Sequence, residues 1–90
     1  MVEREGKGRY QVYILKNEGG WLYVGHTGDL MERVKRHNNG EVRSTRNRGP
    51  FHLIYSEEFN TRSEAMRRER YLKTAEGGLE KRRIIKEIGA

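Results

Sequence analysis

Five side chains in this sequence have the chemistry needed to move a phosphoryl group: two phenols, a guanidinium, an imidazole and a carboxylate, at Tyr13, Tyr23, Arg33, His37 and Glu69. Such a transfer needs a positioned nucleophile, positive charge that stabilises the crowded phosphorus centre, and a metal ion. Phenols and imidazoles exchange protons with water, and a carboxylate binds hard cations such as Mg²⁺ through oxygen. The set predicts phosphodiester chemistry if the fold brings its members together.

Glu69 stands out because it lies on the apolar side of a predicted helix. With about 100° per residue, Leu72 lies about 20° and Glu69 about 40° from Ala65, the centre of the buried face. Two interpretations are open. Glu69 either lies at the edge of the stripe, solvated or paired with Lys73 four residues later, or points into a cleft where it binds a metal ion.

Arg33 and His37 are one helical turn apart, beside the apolar stripe of an earlier helix. Each residue also has a purely structural interpretation. His37 could be a cation that the helix dipole favours at the C-terminus, and Arg33 could bury its aliphatic part while its charged end stays in water. Tyr13 and Tyr23 lie on two neighbouring predicted strands, where tyrosine is also a common packing residue. The combination favours function more strongly than any single residue does.

The strands that position these groups are indicated by β-branched and aromatic runs. Residues 10–15 and 21–24 predict a β-hairpin around the turn at residues 16–20, with Gly25 closing the second strand. Residues 51–59 predict a third strand.

Capping residues indicate the helices. Asp29 is suited to begin a helix over residues 30–37, and Thr61 with Glu64 forms a capping box for a helix over 62–73. A final helix is predicted after the glycine pair 77–78. The resulting order, β-β-α-β-α-α, predicts an α+β fold with a small three-stranded antiparallel sheet, a β-hairpin and flanking helices.

Chain length and composition limit the other possibilities. Ninety residues predict a single domain, over residues 10–90, after a flexible lead-in at residues 1–9. The absence of cysteine excludes disulfides and thiolate zinc sites. No apolar run approaches the roughly 20 residues of a membrane span, so we expect a cytoplasmic protein without membrane contact.

The charge balance favours an anionic partner. Nineteen Lys and Arg against 13 Asp and Glu give a formal net charge of +6 and a pI near 9.9. Nucleic acid fits better than a membrane surface, because no segment has the pattern of a membrane-bound amphipathic helix. Residues 41–50 predict a basic loop. The side chains expected to contact phosphates are Arg43, Arg46, Arg48, Lys35, Arg36 and Lys73.

Four further polar residues have weaker claims to function. Ser44 and Thr45, in the basic loop, are candidate donors to phosphate, and His26 and His52 are interpreted as surface or strand residues. No small-molecule cofactor is expected.

Several motifs occur in a recognisable order. Gln11-Val12-Tyr13 is followed ten residues later by Tyr23-Val24-Gly25, then by a segment leading to Arg33, and finally by a helix that presents Glu69. Over residues 10–73 the chain resembles the GIY-YIG nuclease superfamily, in particular its small stand-alone proteins similar to the N-terminal nuclease domain of the bacterial excinuclease. The resemblance implies the GIY-YIG fold.

The resemblance also implies roles. Glu69 would hold one Mg²⁺ or Mn²⁺ ion, Tyr13 would help to deprotonate water with assistance from His37, Arg33 would neutralise phosphate charge and Tyr23 would orient the phosphate. These roles imply a metal-dependent endonuclease acting on DNA ahead of RNA, in repair or recombination. One alternative is a nucleic-acid-binding module that keeps the fold without turnover. Another is a protein-interaction adaptor that uses the charged last helix.

Overall fold

The structure is a computed structural model that describes residues 9–90. Within these residues the elements are β1 (Tyr10–Asn17), β2 (Leu22–Thr27), α1 (Leu30–Asn38), β3 (Phe51–Phe59), α2 (Arg62–Leu72) and α3 (Ala75–Ile88), with a 3-10 turn (Arg43–Thr45) before β3. The predicted element order and α+β class are confirmed. The predicted lead-in lies outside the described residues, apart from residue 9. No helix within residues 9–90 has the length and apolar character needed to cross a bilayer.

The strands form one antiparallel sheet in the order β2-β1-β3, so β1 is central and β2 is an edge. Alternate side chains of β1 are buried on opposite faces of the sheet. Val12 and Ile14 lie in a cluster with Leu72 of α2, and Tyr13 and Leu15 lie in a second cluster against which α1 packs. The two faces are therefore covered by different helices.

The hairpin strands run further than predicted. β1 continues to Asn17 and β2 to Thr27, so Gly25 lies inside the β1–β2 ladder and does not close the strand. Asn17 closes the turn, since its side-chain oxygen accepts a 2.8 Å hydrogen bond from the Trp21 backbone N–H. Gly20 completes the turn with a positive φ of 88°, which favours glycine.

The first two helices begin as predicted. Asp29 accepts from the backbone N–H of Glu32 at the start of α1. At the start of α2, Thr61 accepts from the Glu64 N–H, and the Glu64 side chain accepts from the Thr61 N–H. The predicted capping box is therefore confirmed.

The start of α3 differs from the prediction. The helix begins at Ala75, before the glycine pair, and Thr74 caps it by accepting from the Gly77 N–H. A Cβ placed on Gly77 would lie 1.7 Å from the Tyr71 carbonyl oxygen. The glycine therefore allows α3 to pack against the end of α2, and it does not break the helix.

One arginine joins three elements on the side of α2 that faces β3. Arg68 donates from Nε to Glu57 of β3 and from Nη2 to Glu80 of α3, both at 2.7 Å. The Tyr55 hydroxyl also donates to Glu57, at 2.7 Å. This ion-pair network ties α2 to β3 and α3.

Candidate active site

Four of the five predicted residues meet on the α1 face of the sheet. The Tyr13 hydroxyl lies 2.8 Å from Nε2 of His37, and both groups are buried. The Tyr23 ring centroid lies 6.3 Å from that of Tyr13 and 5.0 Å from that of His37. The Arg33 guanidinium lies near enough to the Tyr13 phenol to lower its pKa, against the larger effect of burial.

Gly25 makes room for the Tyr13 phenol. It pairs with Tyr13 in the β1–β2 register. A Cβ on Gly25 would lie 2.5 Å from the phenol oxygen and 2.9 Å from the Tyr23 ring. Any side chain at position 25 would therefore push the two phenols out of their present arrangement.

The phenol of Tyr13 is protonated at neutral pH. Burial raises its pKa to about 12; Arg33 opposes the rise, while Tyr23 and Glu69 add to it. Tyr13 is therefore not a phenolate in the resting protein, and its buried hydroxyl needs an acceptor as a hydrogen-bond partner.

His37 is that partner, and it is neutral. Its side chain is only 1% exposed, and burial together with Arg33 lowers its pKa to about 4. The alternative interpretation of His37 as a solvated cation at the end of α1 is therefore wrong. An uncharged imidazole has one nitrogen that donates and one that accepts.

The hydrogen bonds around His37 define which nitrogen accepts. The Thr45 hydroxyl has the Val42 carbonyl as its own acceptor, so Nδ1 of His37 is the protonated nitrogen and Nε2 accepts from the Tyr13 hydroxyl. Nδ1–H then donates to the Thr45 hydroxyl at 2.7 Å, and that hydroxyl donates to the Val42 carbonyl at 3.5 Å. The chain of donors runs in one direction, from the phenol to the loop.

Thr45 is thus not the donor to phosphate that the sequence suggested. It is fully buried against His37, whereas Ser44 is exposed. Sequence reasoning missed this contact, because a threonine in an aperiodic loop carries no signal of burial.

Glu69 lies half-buried beyond the edge of β2, with 18% of its side chain exposed. Its two oxygens are 2.6 Å from Nδ1 of His26 and 2.6 Å from Nζ of Lys73. The pairing with Lys73, one of the two interpretations, is therefore present. His26 is not the simple surface or strand residue that was expected. Its place opposite Val12 in the ladder puts it on the α2 face, where it meets Glu69.

Lys73 connects the two halves of the site. While it bonds Glu69, its Nζ lies 5.5 Å from the Tyr23 ring centroid. Glu69 and His26 are thereby joined to the phenol and imidazole groups around β2. All five predicted residues surround this one strand.

The donor set fits a single hard cation. Within residues 9–90 no group of three His, Asp or Glu side chains converges on one point. Mg²⁺ needs no such group, because it keeps several waters and binds through one or two carboxylates together with substrate phosphate. Glu69 supplies one carboxylate. Lys73 is half-exposed, so its side chain can swing into solvent and free one oxygen of Glu69 for a metal ion.

Arg33 shows where an anion would bind. Its Nε atom is buried and has no hydrogen-bond partner among the described residues. An unpaired buried donor is costly, about 1–3 kcal/mol, and a charged one more. Arg33 therefore has a donor that an acceptor from outside these residues would satisfy.

The side chains predicted to contact phosphates are all exposed. Two of them are paired with carboxylates: Arg36 lies 3.5 Å from Glu41, and Lys73 bonds Glu69. Arg48 stacks over the Trp21 ring at 4.4 Å. The others, Lys35, Arg43 and Arg46, have no salt bridge within residues 9–90.

Comparison with known proteins gives a consistent result. The family model described as the GIY-YIG catalytic domain matches residues 9–83. A UPF0213 protein of Staphylococcus aureus strain Mu3 is 44% identical over 77 residues, which are 84% of this chain and 93% of the relative. A UPF0213 protein of Staphylococcus saprophyticus is 42% identical over 67 residues, 73% of this chain and 82% of the relative.

A solved structure is similar as well. The solution NMR structure of a UPF0213 protein from Bacillus halodurans is 35% identical, with a TM-score of 0.51 and coverage of 83% of each chain. The match of the family model spans both tyrosine motifs, Arg33, His37 and Glu69. The chain therefore belongs to the GIY-YIG catalytic domain family.

Proposed function

We propose that this protein is a metal-dependent endonuclease that hydrolyses phosphodiester bonds of DNA, ahead of RNA, through a single domain over residues 10–90. DNA repair or recombination, in the cytoplasm, is the setting that the family suggests. The observation that carries the proposal is the buried, unpartnered Nε of Arg33, beside a phenol that is bonded to a neutral imidazole. This arrangement combines an anion site with a route for a proton.

Glu69 would hold the metal ion. When bound, Mg²⁺ or Mn²⁺ supplies Lewis-acid stabilisation of a phosphate oxygen and of the leaving 3′ oxygen. Glu69 is suited to this task because its pKa is lowered, with the bonds from Lys73 and His26 outweighing the effect of burial, so it is a carboxylate at neutral pH. His26 would keep the carboxylate oriented after Lys73 moves away.

Tyr13 would relay a proton and would not store it. The attacking water gives its proton to the Tyr13 oxygen while the Tyr13 hydroxyl proton passes to Nε2 of His37, 2.8 Å away. No free phenolate forms, which agrees with the pKa of about 12. His37 becomes an imidazolium as the phosphate beside it gains negative charge.

Arg33 and Tyr23 would hold the phosphate during attack. The Arg33 guanidinium neutralises the charge that develops on the phosphate oxygens, and the Tyr23 hydroxyl orients them. The P–O3′ bond breaks as the P–O bond to water forms, so the products are a 5′-phosphate and a 3′-hydroxyl.

One observation favours a second candidate, a nucleic-acid-binding module without turnover. Both oxygens of Glu69 are occupied by His26 and Lys73, as they would be in a purely structural ion pair. Such a module would bind DNA by charge but would have no use for the phenol–imidazole relay.

A nuclease assay separates the two candidates. Labelled flap, bubble and single-stranded DNA, with matched RNA, would be incubated with the protein with and without Mg²⁺, and the products resolved on a denaturing gel. We expect metal-dependent cuts that leave 5′-phosphate ends. Binding to every probe without any cutting would support the non-catalytic module.

Thr45→Val tests the direction of the hydrogen-bond chain. Valine has the shape of threonine but cannot accept from Nδ1–H of His37, so the imidazole loses the contact that leaves Nε2 free to accept. We expect cleavage to fall about fivefold, the kinetic equivalent of about 1 kcal/mol for one hydrogen bond.

Imidazole ¹⁵N shifts in the same variant should show Nδ1 losing its proton to Nε2. Thr45→Ser keeps the hydroxyl and should restore both the rate and the shifts. Ser44→Ala, at the exposed neighbour, is the matched control. An unchanged tautomer in Thr45→Val would exclude the positioning role of Thr45.

A further inference from the structure

An open groove runs along the outer side of α2. It has a volume of about 370 Å³ and is lined by Arg62, Ser63, Met66, Arg67 and Arg70. Three of these residues are cations and none is acidic. The groove is therefore a strongly positive surface outside the loop that the sequence identified.

The helix register connects the groove to the candidate metal ligand. Arg62, Met66, Glu69 and Lys73 are spaced by four, three and four residues, so they form one row along α2. Arg62 precedes Glu69 by seven residues, or about 10 Å along the helix axis. One edge of the groove, at Arg62 and Met66, thus lies in the row of Glu69, whereas Arg67 and Arg70 lie further round the helix.

The end of the groove at Arg62 lies near Tyr10 and the residues that follow β2. The Arg62 guanidinium stacks on the Tyr10 ring at 4.9 Å. A Cβ placed on Gly28 would lie 3.3 Å from that ring. His26, two residues before Gly28, bonds Glu69. Residues 26–28 therefore lie next to both the candidate site and the end of the groove at Arg62.

The groove cations are not neutralised internally. Their neighbour Arg68 is paired with two glutamates, whereas Arg62, Arg67 and Arg70 have no salt bridge within residues 9–90. Among the carboxylates of α2, Glu64 is committed to the capping box. The positive charge is therefore available to an anion from outside.

We propose that this groove binds the phosphodiester backbone of the strand that is cut, on one side of the scissile phosphate. The inference rests on the proposed nuclease function and adds a path for the substrate. A length of about 10 Å spans about three phosphates of a B-form strand. Bound there, the strand follows α2 toward the turn of the helix that carries Glu69.

The binding energetics give a measurable consequence. Each phosphate neutralised by a cation contributes about 0.9 to the slope of log K against log salt for duplex DNA, and about 0.7 for single strands. Removing three groove cations should therefore lower the slope by about 2 to 3.

The test compares two triple variants that remove the same charge. Arg62→Gln, Arg67→Gln and Arg70→Gln are combined in one, and the exposed α3 cations Arg82→Gln, Arg83→Gln and Lys86→Gln in the other. Binding to fluorescent duplex, flap and single-stranded DNA is followed by anisotropy over a salt series in buffer containing a chelator. We expect the slope of log K against log salt to fall by about 2 to 3 in the groove triple variant and by less than about 1 in the α3 triple variant.

Equal losses in the two triples would overturn the groove, because net charge alone would then explain binding. An unchanged slope in the groove triple would overturn it as well. Should the triple unfold, Arg67→Gln with Arg70→Gln leaves the Arg62–Tyr10 contact intact and should still lower the slope by about 2. The binding assay needs no metal and no cleavage. It therefore tests whether the groove binds DNA even if the wild-type protein cuts nothing and the nuclease proposal fails.

Discussion

We expect Glu69→Gln to abolish metal-dependent cleavage while leaving DNA affinity in metal-free buffer unchanged or slightly tighter. Glutamine keeps the shape of the side chain but loses the anionic oxygens that a hard cation requires. The loss of one negative charge near the substrate phosphates can only favour binding. Cleavage on denaturing gels and affinity by anisotropy measure the two effects separately.

The same substitution should lower the free energy of unfolding slightly, by about 1 kcal/mol. If the Glu69 carboxylate were buried without partners, the substitution would instead raise the free energy of unfolding. The observed bonds to His26 and Lys73 reverse it, because glutamine replaces two charged contacts with neutral ones. A urea titration at neutral pH measures the change.

Glu64→Gln is the matched control on the same helix. It affects only the capping box at Thr61 and should cost about 0.5–1 kcal/mol of stability with cutting intact. If Glu64→Gln stops cleavage and Glu69→Gln does not, Glu69 is not the metal ligand.

Tyr13→Phe should lower the rate of cleavage by about 10² or more, the usual effect of removing an acid–base group. The ring still fills the space over Gly25, so the fold should survive. The cost is the lost bond to Nε2 of His37, which leaves a buried acceptor unpaired at about 1–3 kcal/mol. Single-turnover kinetics at saturating protein separate the chemical step from binding.

Tyr55→Phe is a close control for this prediction. Burial raises the pKa of Tyr55, like that of Tyr13, to about 12, but its hydroxyl bonds Glu57 in the network on the other side of α2. Its loss should lower stability without affecting the rate. Equal rates for Tyr13→Phe and the wild-type protein would remove Tyr13 from the proton relay.

Local signals in the sequence predicted the local structure well. The turn chemistry at residues 16–20, the Asp29 cap and the Thr61 capping box each depend on residues three or four apart, and each appears in the structure. The bounds of β3 agree with the prediction, since an aromatic residue stands at each end of the segment, at Phe51 and Phe59. The same local periodicity placed Glu69 and His37 on inward flanks of their helices.

Long-range contacts carried no comparable signal. His26 and Glu69 are 43 residues apart, and only the strand register and the packing of α2 bring them together. The glycine at position 77 has the sequence appearance of a helix break, yet its lack of a side chain serves a close approach between α2 and α3. In both cases the physical cause is tertiary packing, which a local pattern does not record.

The burial of Thr45 also limits how the chain can be altered. Surface loops usually accept extra residues, because doubling the length of a loop costs only about 0.6 kcal/mol in closure entropy. The loop at residues 41–50 is different, since Thr45 must reach the imidazole of His37, eight residues earlier. An insertion between the two would separate the hydroxyl from the ring, whereas the exposed hairpin turn at residues 18–20 has no such tie to the site. A peptide tag or the new termini of a circular permutant should therefore be placed in the hairpin turn. The basic loop lies on the surface, but its length is constrained by the hydrogen bond between Thr45 and His37.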